Sequence, residues 1–212
     1  VRELIKALLT PSLKGLFIFA MEIPSTSNIP PQPDFTGAIV EPEFERRWHV
    51  PSVPNGALEE VAKTLDIDQG YAKDVDHCKF RVRDARDEIT DGHEYVLNRK
   101  EGSGIARLET ERFIEEPEFD QIWPATEGWR LEKQRVYIPE GERVIHCDFF
   151  EGPLEGLVVA EIEFPSEREA EEFEAIPPWF GAEITGLKHT GNGSLAKRGI
   201  PKILRTLMDE SQ

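Results

Sequence analysis

Polar and apolar side chains alternate along much of this chain from residue 43 onward. Glu43, Glu45 and Arg47 share one parity, with Phe44 and Arg46 on the other. Period-two alternation is the mark of a strand, whose successive side chains point to opposite faces. The same pattern recurs in Lys79–Arg83, with bases at alternate positions, and in Tyr95–Lys100, where Asn98 and Lys100 oppose Tyr95 and Leu97. Ala106–Phe113 places Arg107, Glu109 and Glu111 together, although Arg112 breaks strict alternation. Arg130–Ile138 aligns Lys133 and Arg135 with Leu131 and Tyr137, and Val144–Phe150 sets His146 and Asp148 against Ile145, Cys147 and Phe149. Val158–Phe164 sets Glu161 and Glu163 against Ala160, Ile162 and Phe164. Gly, Pro and charged turns bound most of these runs, as strand ends require.

Helical spacing appears between the strands. Ala57–Leu65 carries Leu58, Val61 and Leu65 on one stripe. Pro117–Trp123 opens on a proline suited to a first helical turn and gathers Phe119, Ile122 and Trp123. Ser166–Ile176 has the capping-box pair Ser166 and Glu169, with Ala170 and Phe173 facing inward. Lys197–Met208 predicts a last helix despite Pro201 near its start.

The polar faces leave two readings open. A sheet with one face in water would carry such charges at little cost or gain. The alternative is an α+β fold: an eight-stranded antiparallel closed β-barrel with a charged lumen and helices packed outside. Arg, Lys and Glu recur in like-signed pairs two residues apart, which repel unless an ion of opposite charge neutralises both. Carboxylates suit a hard divalent cation, and guanidinium groups suit phosphate.

Composition narrows the partners. The 212 residues carry a formal charge of −16, from 41 acidic and 25 basic residues. Nucleic acid is met with basic surfaces, so no nucleic-acid partner is expected. Cys78 and Cys147 have no metal-ligand spacing and read as buried thiols of a reducing, cytoplasmic setting. Val1–Ala20 contains Lys6, Lys14 and the short apolar run Leu16–Ala20, too short to span a membrane or to serve as an ordinary signal peptide. Met21 is a candidate translation start, and Glu22–Pro42 reads as a linker rich in Pro, Ser and Thr. The expected organisation is therefore an N-terminal extension over 1–42, a barrel domain over 43–201 and a helical tail over 202–212. No membrane partner is expected, and a monomer or a homodimer fits the sequence equally.

The ordered series of motifs resembles the CYTH superfamily, the triphosphate tunnel metalloenzymes. It runs Glu43-Phe44-Glu45-Arg46-Arg47, Gln69-Gly70-Tyr71, Arg81-Val82-Arg83, Lys100-Glu101-Gly102, Glu109-Thr110-Glu111, Lys133-Gln134-Arg135, Asp148-Phe149-Phe150, Ala160–Phe164, Pro178–Gly181 and Asn192–Ala196. The first is similar to the family's acid-x-acid-x-Lys signature, and the whole is most similar to short bacterial inorganic tripolyphosphatases. The resemblance implies a tunnel that binds inorganic tripolyphosphate or another triphosphate and needs Mg²⁺ or Mn²⁺. It implies that Arg47, Arg81, Arg83, Lys100, Lys133 and Arg135 grip phosphate, with Arg107 a weaker candidate on the same face. Glu43, Glu45, Asp148, Glu161 and Glu163 are the implied metal carboxylates. Glu109, Glu111 and Tyr71 join Glu43 and Glu45 as catalytic candidates.

Two positions depart from the family's pattern. Arg47 replaces the signature lysine and cannot exchange a proton, and Thr190 stands where a tyrosine is expected ahead of Asn192. Among the histidines, His49 reads as a strand end and His77, His93 and His189 as loop residues; only His146 has the charged parity within a strand. The same fold also serves class IV adenylate cyclases and thiamine triphosphatases, for which Trp48, Trp129 and Trp179 are candidate walls of an organic pocket. A non-catalytic polyphosphate sensor is a further alternative, against which the full set of carboxylates argues. A plain interaction domain with solvated charges is remote.

Overall fold

In the computed structural model, which describes residues 33–73 and 79–210, eight antiparallel strands close into a barrel. They are β1 (Ile39–His49), β2 (Lys63–Lys73), β3 (Lys79–Asp87), β4 (His93–Gly102), β5 (Ala106–Ile114), β6 (Arg130–Glu140), β7 (Arg143–Phe150) and β8 (Val158–Phe164). Around the barrel they run β1-β5-β4-β3-β2-β6-β7-β8 and back to β1. β1 makes the closure by dividing its length. Ile39–Phe44 pairs with β5, and Phe44–His49 pairs with β8. Closure leaves no sheet edge and separates an inner face from an outer one on every strand.

The outer faces are apolar and are covered. Trp48, Val136, Ile138, Ile145, Cys147, Ala160 and Ile162 form one cluster with Ala170, against which Phe173, Trp179 and Phe180 pack. Ala170 belongs to α3 (Glu167–Glu172), which starts as its capping box requires, with Ser166 accepting a hydrogen bond from the Glu169 amide at 3.2 Å. Phe80, Val82, Leu97 and Ile114 pack against Phe119 and Ile122 of α2 (Glu116–Ile122). A 3₁₀ turn, Trp123–Thr126, continues α2 and presses on β2. Gly70 permits that approach, because a Cβ there would collide with Thr126.

Two expected helices differ. The run Ala57–Leu65 forms only α1 (Asn55–Glu59), with Leu58 exposed, and β2 begins at Lys63. Leu65 therefore lies in a strand, clustered with Ile67, Ala85 and Tyr137. The C-terminal run divides into α4 (Asn192–Arg198) and α5 (Lys202–Asp209). Gly199, at φ 72, and Pro201 break the helix between them. Leu195 of α4 and Leu204 of α5 pack on Leu131, Phe150, Val159 and Ile184, with Tyr71 at the edge of this cluster.

Residues 1–32, which hold most of the expected N-terminal extension, lie outside the described residues, as do His77 and Cys78. β1 begins at Ile39, ahead of the expected Glu43. No helix among the described residues is long and apolar enough to cross a membrane.

Candidate active site

The inner faces of the strands surround a cavity of about 490 Å³. Glu43, Glu45, Arg47, Tyr71, Arg81, Arg83, Lys100, Arg107, Glu109, Glu111, Lys133, Arg135, Glu161 and Glu163 all line it. Asp148 lies beneath this wall, fully buried. The parity rule thus brings the predicted site residues to one lumen, because closure turns every charged face inward. Gln69, Tyr137, Gly191 and the first turn of α4 also line the cavity and were not among the predicted site residues. Their signals were present: Gln69 shares a face with Tyr71, and Tyr137 shares one with Lys133 and Arg135.

Charges in the lumen are mostly paired across strands. Arg135 holds both oxygens of Asp148 at 2.6 and 2.8 Å and reaches Glu161 at 2.5 Å. Lys133 Nζ donates to Asp148 at 2.5 Å. Arg47 binds Glu161 at 2.9 Å through Nε, with Glu45 at 3.8 Å. Arg107 bridges Glu43, at 3.0 Å, and Glu45. Lys100 meets Glu43 at 2.5 Å and Glu109 at 3.4 Å, while Asn98 donates to Glu109 and Glu111. Arg81 stands 3.9 Å from both Glu109 and Glu111.

Those pairs fix the protonation states. Burial disfavours ionised Asp148, yet Arg135 and Lys133 outweigh it and hold the carboxyl below its ordinary range. Glu161 is likewise buried, and Arg135, Arg47 and Lys133 hold it well below that range. Burial, then repulsion from Arg135, brings Lys133 down to about 8. Burial pushes Tyr71 up to about 12, so its hydroxyl keeps its proton and accepts from Gln69 Nε2 at 2.6 Å. His146 is lowered to about 4 by burial and by Arg135, and is therefore neutral near pH 7.

What is left unneutralised defines the site. Nη2 of Arg47 and Nε of both Arg81 and Arg83 are buried donors without a hydrogen-bond partner among the described residues. Such orphans are costly unless a ligand completes them. Arg83 is destabilised by burial and by the nearby charges of Arg81 and Arg135, and its pKa falls accordingly. These three donors lack an acceptor among the described residues. Crowded carboxylates lie on β1 and β8, the side of the lumen that also carries Arg47. Glu45 and Glu163 face each other in register between β1 and β8. Burial and Glu161 raise Glu45, while partial loss of hydration and Glu43 raise Glu163, whose side chain is half exposed. Glu45 already has Arg107 as an ion-pair partner, whereas Glu163 has no lysine or arginine pair among the described residues.

The donors on β1 and β8 are carboxylates, with the His146 imidazole of β7 nearby, a set that suits an oxygen-preferring divalent ion. Among the described residues no three His, Cys, Asp or Glu already converge as a preformed metal set. The reason lies in the pairs above, which hold most of the carboxylates on arginine and lysine. Raised Glu45 and Glu163 fit a cation because its charge relieves their crowding. Asp148 fits less well, since it lies beneath the cavity lining with Lys133 and Arg135 on both its oxygens, whereas Glu43 and Glu161, although also paired on both oxygens, line the cavity.

Comparison with known proteins places this geometry. No protein-family model matches the chain. An inorganic triphosphatase of Nitrosomonas europaea is 38% identical over 157 residues, which cover 73% of this chain and 96% of that protein. A second inorganic triphosphatase, from Acetivibrio thermocellus, is 33% identical over 156 residues, 73% of this chain and 93% of its own length. A crystal structure of an inorganic triphosphatase superposes with a TM-score of 0.52 at 33% identity, covering 75% of this chain and 96% of that one.

Proposed function

This chain belongs to the CYTH superfamily of triphosphate tunnel enzymes, and on that premise we propose that it hydrolyses inorganic tripolyphosphate to pyrophosphate and phosphate. The observation that carries the reading is the set of buried, unpartnered guanidinium nitrogens on Arg47, Arg81 and Arg83 in a lumen shared with crowded carboxylates on β1 and β8.

The proposed mechanism follows from that division. Arg81 and Arg83 bind phosphate oxygens with planar forks, and Lys100, Lys133 and Arg135 add charge along the chain of phosphates. Asp148 positions Lys133 and Arg135 from below. Glu43, Glu45, Glu161 and Glu163 are the residues proposed to hold a divalent ion, Mg²⁺ or Mn²⁺. When bound, such an ion neutralises phosphate charge and eases ionisation of water. Glu45, raised by burial and by Glu161, takes the proton of the attacking water. The water oxygen bonds to the terminal phosphorus, the bond from that phosphorus to its bridging oxygen breaks, and pyrophosphate leaves. Glu109 and Glu111, held by Asn98, Lys100 and Arg81, brace the bases. Tyr71 donates a hydrogen bond from a hydroxyl that does not ionise at working pH. Arg107 spends its charge on Glu43 and Glu45. The expected setting is a cytoplasmic, reducing one, consistent with the free buried thiol of Cys147.

A panel of tripolyphosphate, ATP, thiamine triphosphate and pyrophosphate, each with Mg²⁺, Mn²⁺ or EDTA, tests the assignment. Ion-dependent phosphate release favouring tripolyphosphate supports it. Cyclic AMP from ATP, or binding without release from any substrate, contradicts it.

Lys133 adds a pH dependence. A phosphate beside it raises its pKa above the free value of about 8. Binding then takes up a proton above pH 8, so tripolyphosphate affinity falls as pH rises through that value. Titration calorimetry in two buffers of different ionisation enthalpy reads the uptake, and no uptake in a Lys133→Met variant identifies its source.

A further inference from the structure

His146 sits on the inner face of β7, in register with Glu161 of β8 and Tyr137 of β6. Its ring packs edge-on against Tyr137 at 4.7 Å. Its Nδ1 is buried and makes no hydrogen bond among the described residues. The nearest charged atom to it is Oε1 of Glu163 at 3.5 Å. Glu163 in turn has no lysine or arginine ion pair among the described residues, unlike Glu43, Glu45, Asp148 and Glu161. Its side chain is 55% exposed and opens into the cavity, so an ion arriving from solvent reaches it. Two adjacent donors are thus left over after the bases have taken their partners.

We propose that His146 Nδ1 and Glu163 form a nitrogen–oxygen chelating pair in the tunnel that favours first-row transition ions, Co²⁺ and Zn²⁺ most and Mn²⁺ less, over Mg²⁺. This deepens the functional reading above and rests on it. The separation is suitable. Two ligands about 2.1 Å from one cation lie roughly 3.0–3.5 Å apart at coordination angles between square and tetrahedral. The chemistry supplies the selectivity. Imidazole nitrogen suits first-row transition ions, whereas Mg²⁺ prefers oxygen and keeps its waters. Tyr137 holds the ring plane, and the 3.5 Å gap closes around an ion without moving either strand.

The test uses the full chain with Mn²⁺ alone, read by pulsed electron paramagnetic resonance and by titration calorimetry. The expected result is ¹⁴N modulation of the bound Mn²⁺, absent in His146→Gln. Mn²⁺ affinity falls about tenfold in His146→Gln, on the scale of a lost metal-site partner, while Mg²⁺ affinity changes by less than about twofold. Glu163→Gln, at a half-exposed position that tolerates change, lowers Mn²⁺ affinity similarly and guards against a folding defect in the histidine variant. Mn²⁺ bound without ¹⁴N modulation in the wild type overturns the pair but leaves a carboxylate ion site, and with it the hydrolase reading, intact. Equal losses for Mn²⁺ and Mg²⁺ in His146→Gln overturn it too. Failure of the wild type to bind either ion, with or without tripolyphosphate, overturns both the pair and the ion-dependent reading.

Discussion

Asp148→Ala destabilises the barrel by about 3–5 kcal/mol and abolishes hydrolysis. Asp148 is fully buried, and it takes Lys133 and both arms of the Arg135 fork. Removing it leaves two buried cations without their shared counter-charge, and an uncompensated buried charge costs more than the pair contributes. The loss is a large fraction of the stability of an ordinary domain. Activity fails for a linked reason, since Lys133 and Arg135 lose the group that aims them at the lumen. Asp148→Asn keeps the shape but not the charge, and its loss of stability separates charge from packing. Urea denaturation measures both variants, and a change of under about 1 kcal/mol in Asp148→Ala contradicts the account. Acid has the same effect reversibly. The folded-state pKa values of Asp148 and Glu161 lie below their ordinary values, so their stabilisation is complete above the unfolded range. It is lost as pH falls through the folded values.

The second large effect has opposite signs for stability and binding. Arg83→Leu stabilises the ligand-free barrel by about 1 kcal/mol while weakening tripolyphosphate binding roughly 10–150-fold, the scale of a lost charge-assisted hydrogen bond of about 1.5–3 kcal/mol. Arg83 is buried beside Arg81 and Arg135, and its Nε has no partner. Its ion pair is to Glu94 at 3.7 Å, whose side chain is half exposed and therefore contributes little. The arginine is thus kept at a cost to the empty fold, as expected of a group whose partner is the substrate. Arg83→Lys retains charge but not the planar fork, and recovers only part of the affinity. Thermal melts with and without tripolyphosphate read both effects. Wild-type affinity in Arg83→Leu removes Arg83 from the site.

Which parts of this were legible in the sequence follows from what faces the lumen. Seven strands showed themselves because charged inner residues such as Arg81, Lys133 and Glu161 alternate with apolar outer ones. β2 did not, because its pattern is inverted along half its length. Leu65 and Ile67 pack inward with Ala85 and Tyr137, while Asp66 and Asp68 face out. A stripe through Leu58, Val61 and Leu65 then mimics a helix. The register of the closure was equally hidden. That Glu45 faces Glu163, or that Arg107 bridges Glu43 and Glu45, depends on which strands β1 meets, and alternation within one strand carries no such information. Membership of the lumen was readable for nearly every predicted residue, but the division of labour among them was not. Asp148 has the same parity as His146, and only the structure shows one saturated by bases and the other with a bare nitrogen.

A triphosphate completes the guanidinium nitrogens of the lumen that have no hydrogen-bond partner among the described residues. A crystal structure of the full chain with tripolyphosphate and Ca²⁺ tests it most directly. The expected result is a chain of phosphates inside the barrel, with oxygens within hydrogen-bond distance of Nη2 of Arg47 and Nε of Arg81 and Arg83. Phosphates found only outside the barrel, with those nitrogens still unpartnered at saturating tripolyphosphate, contradict it.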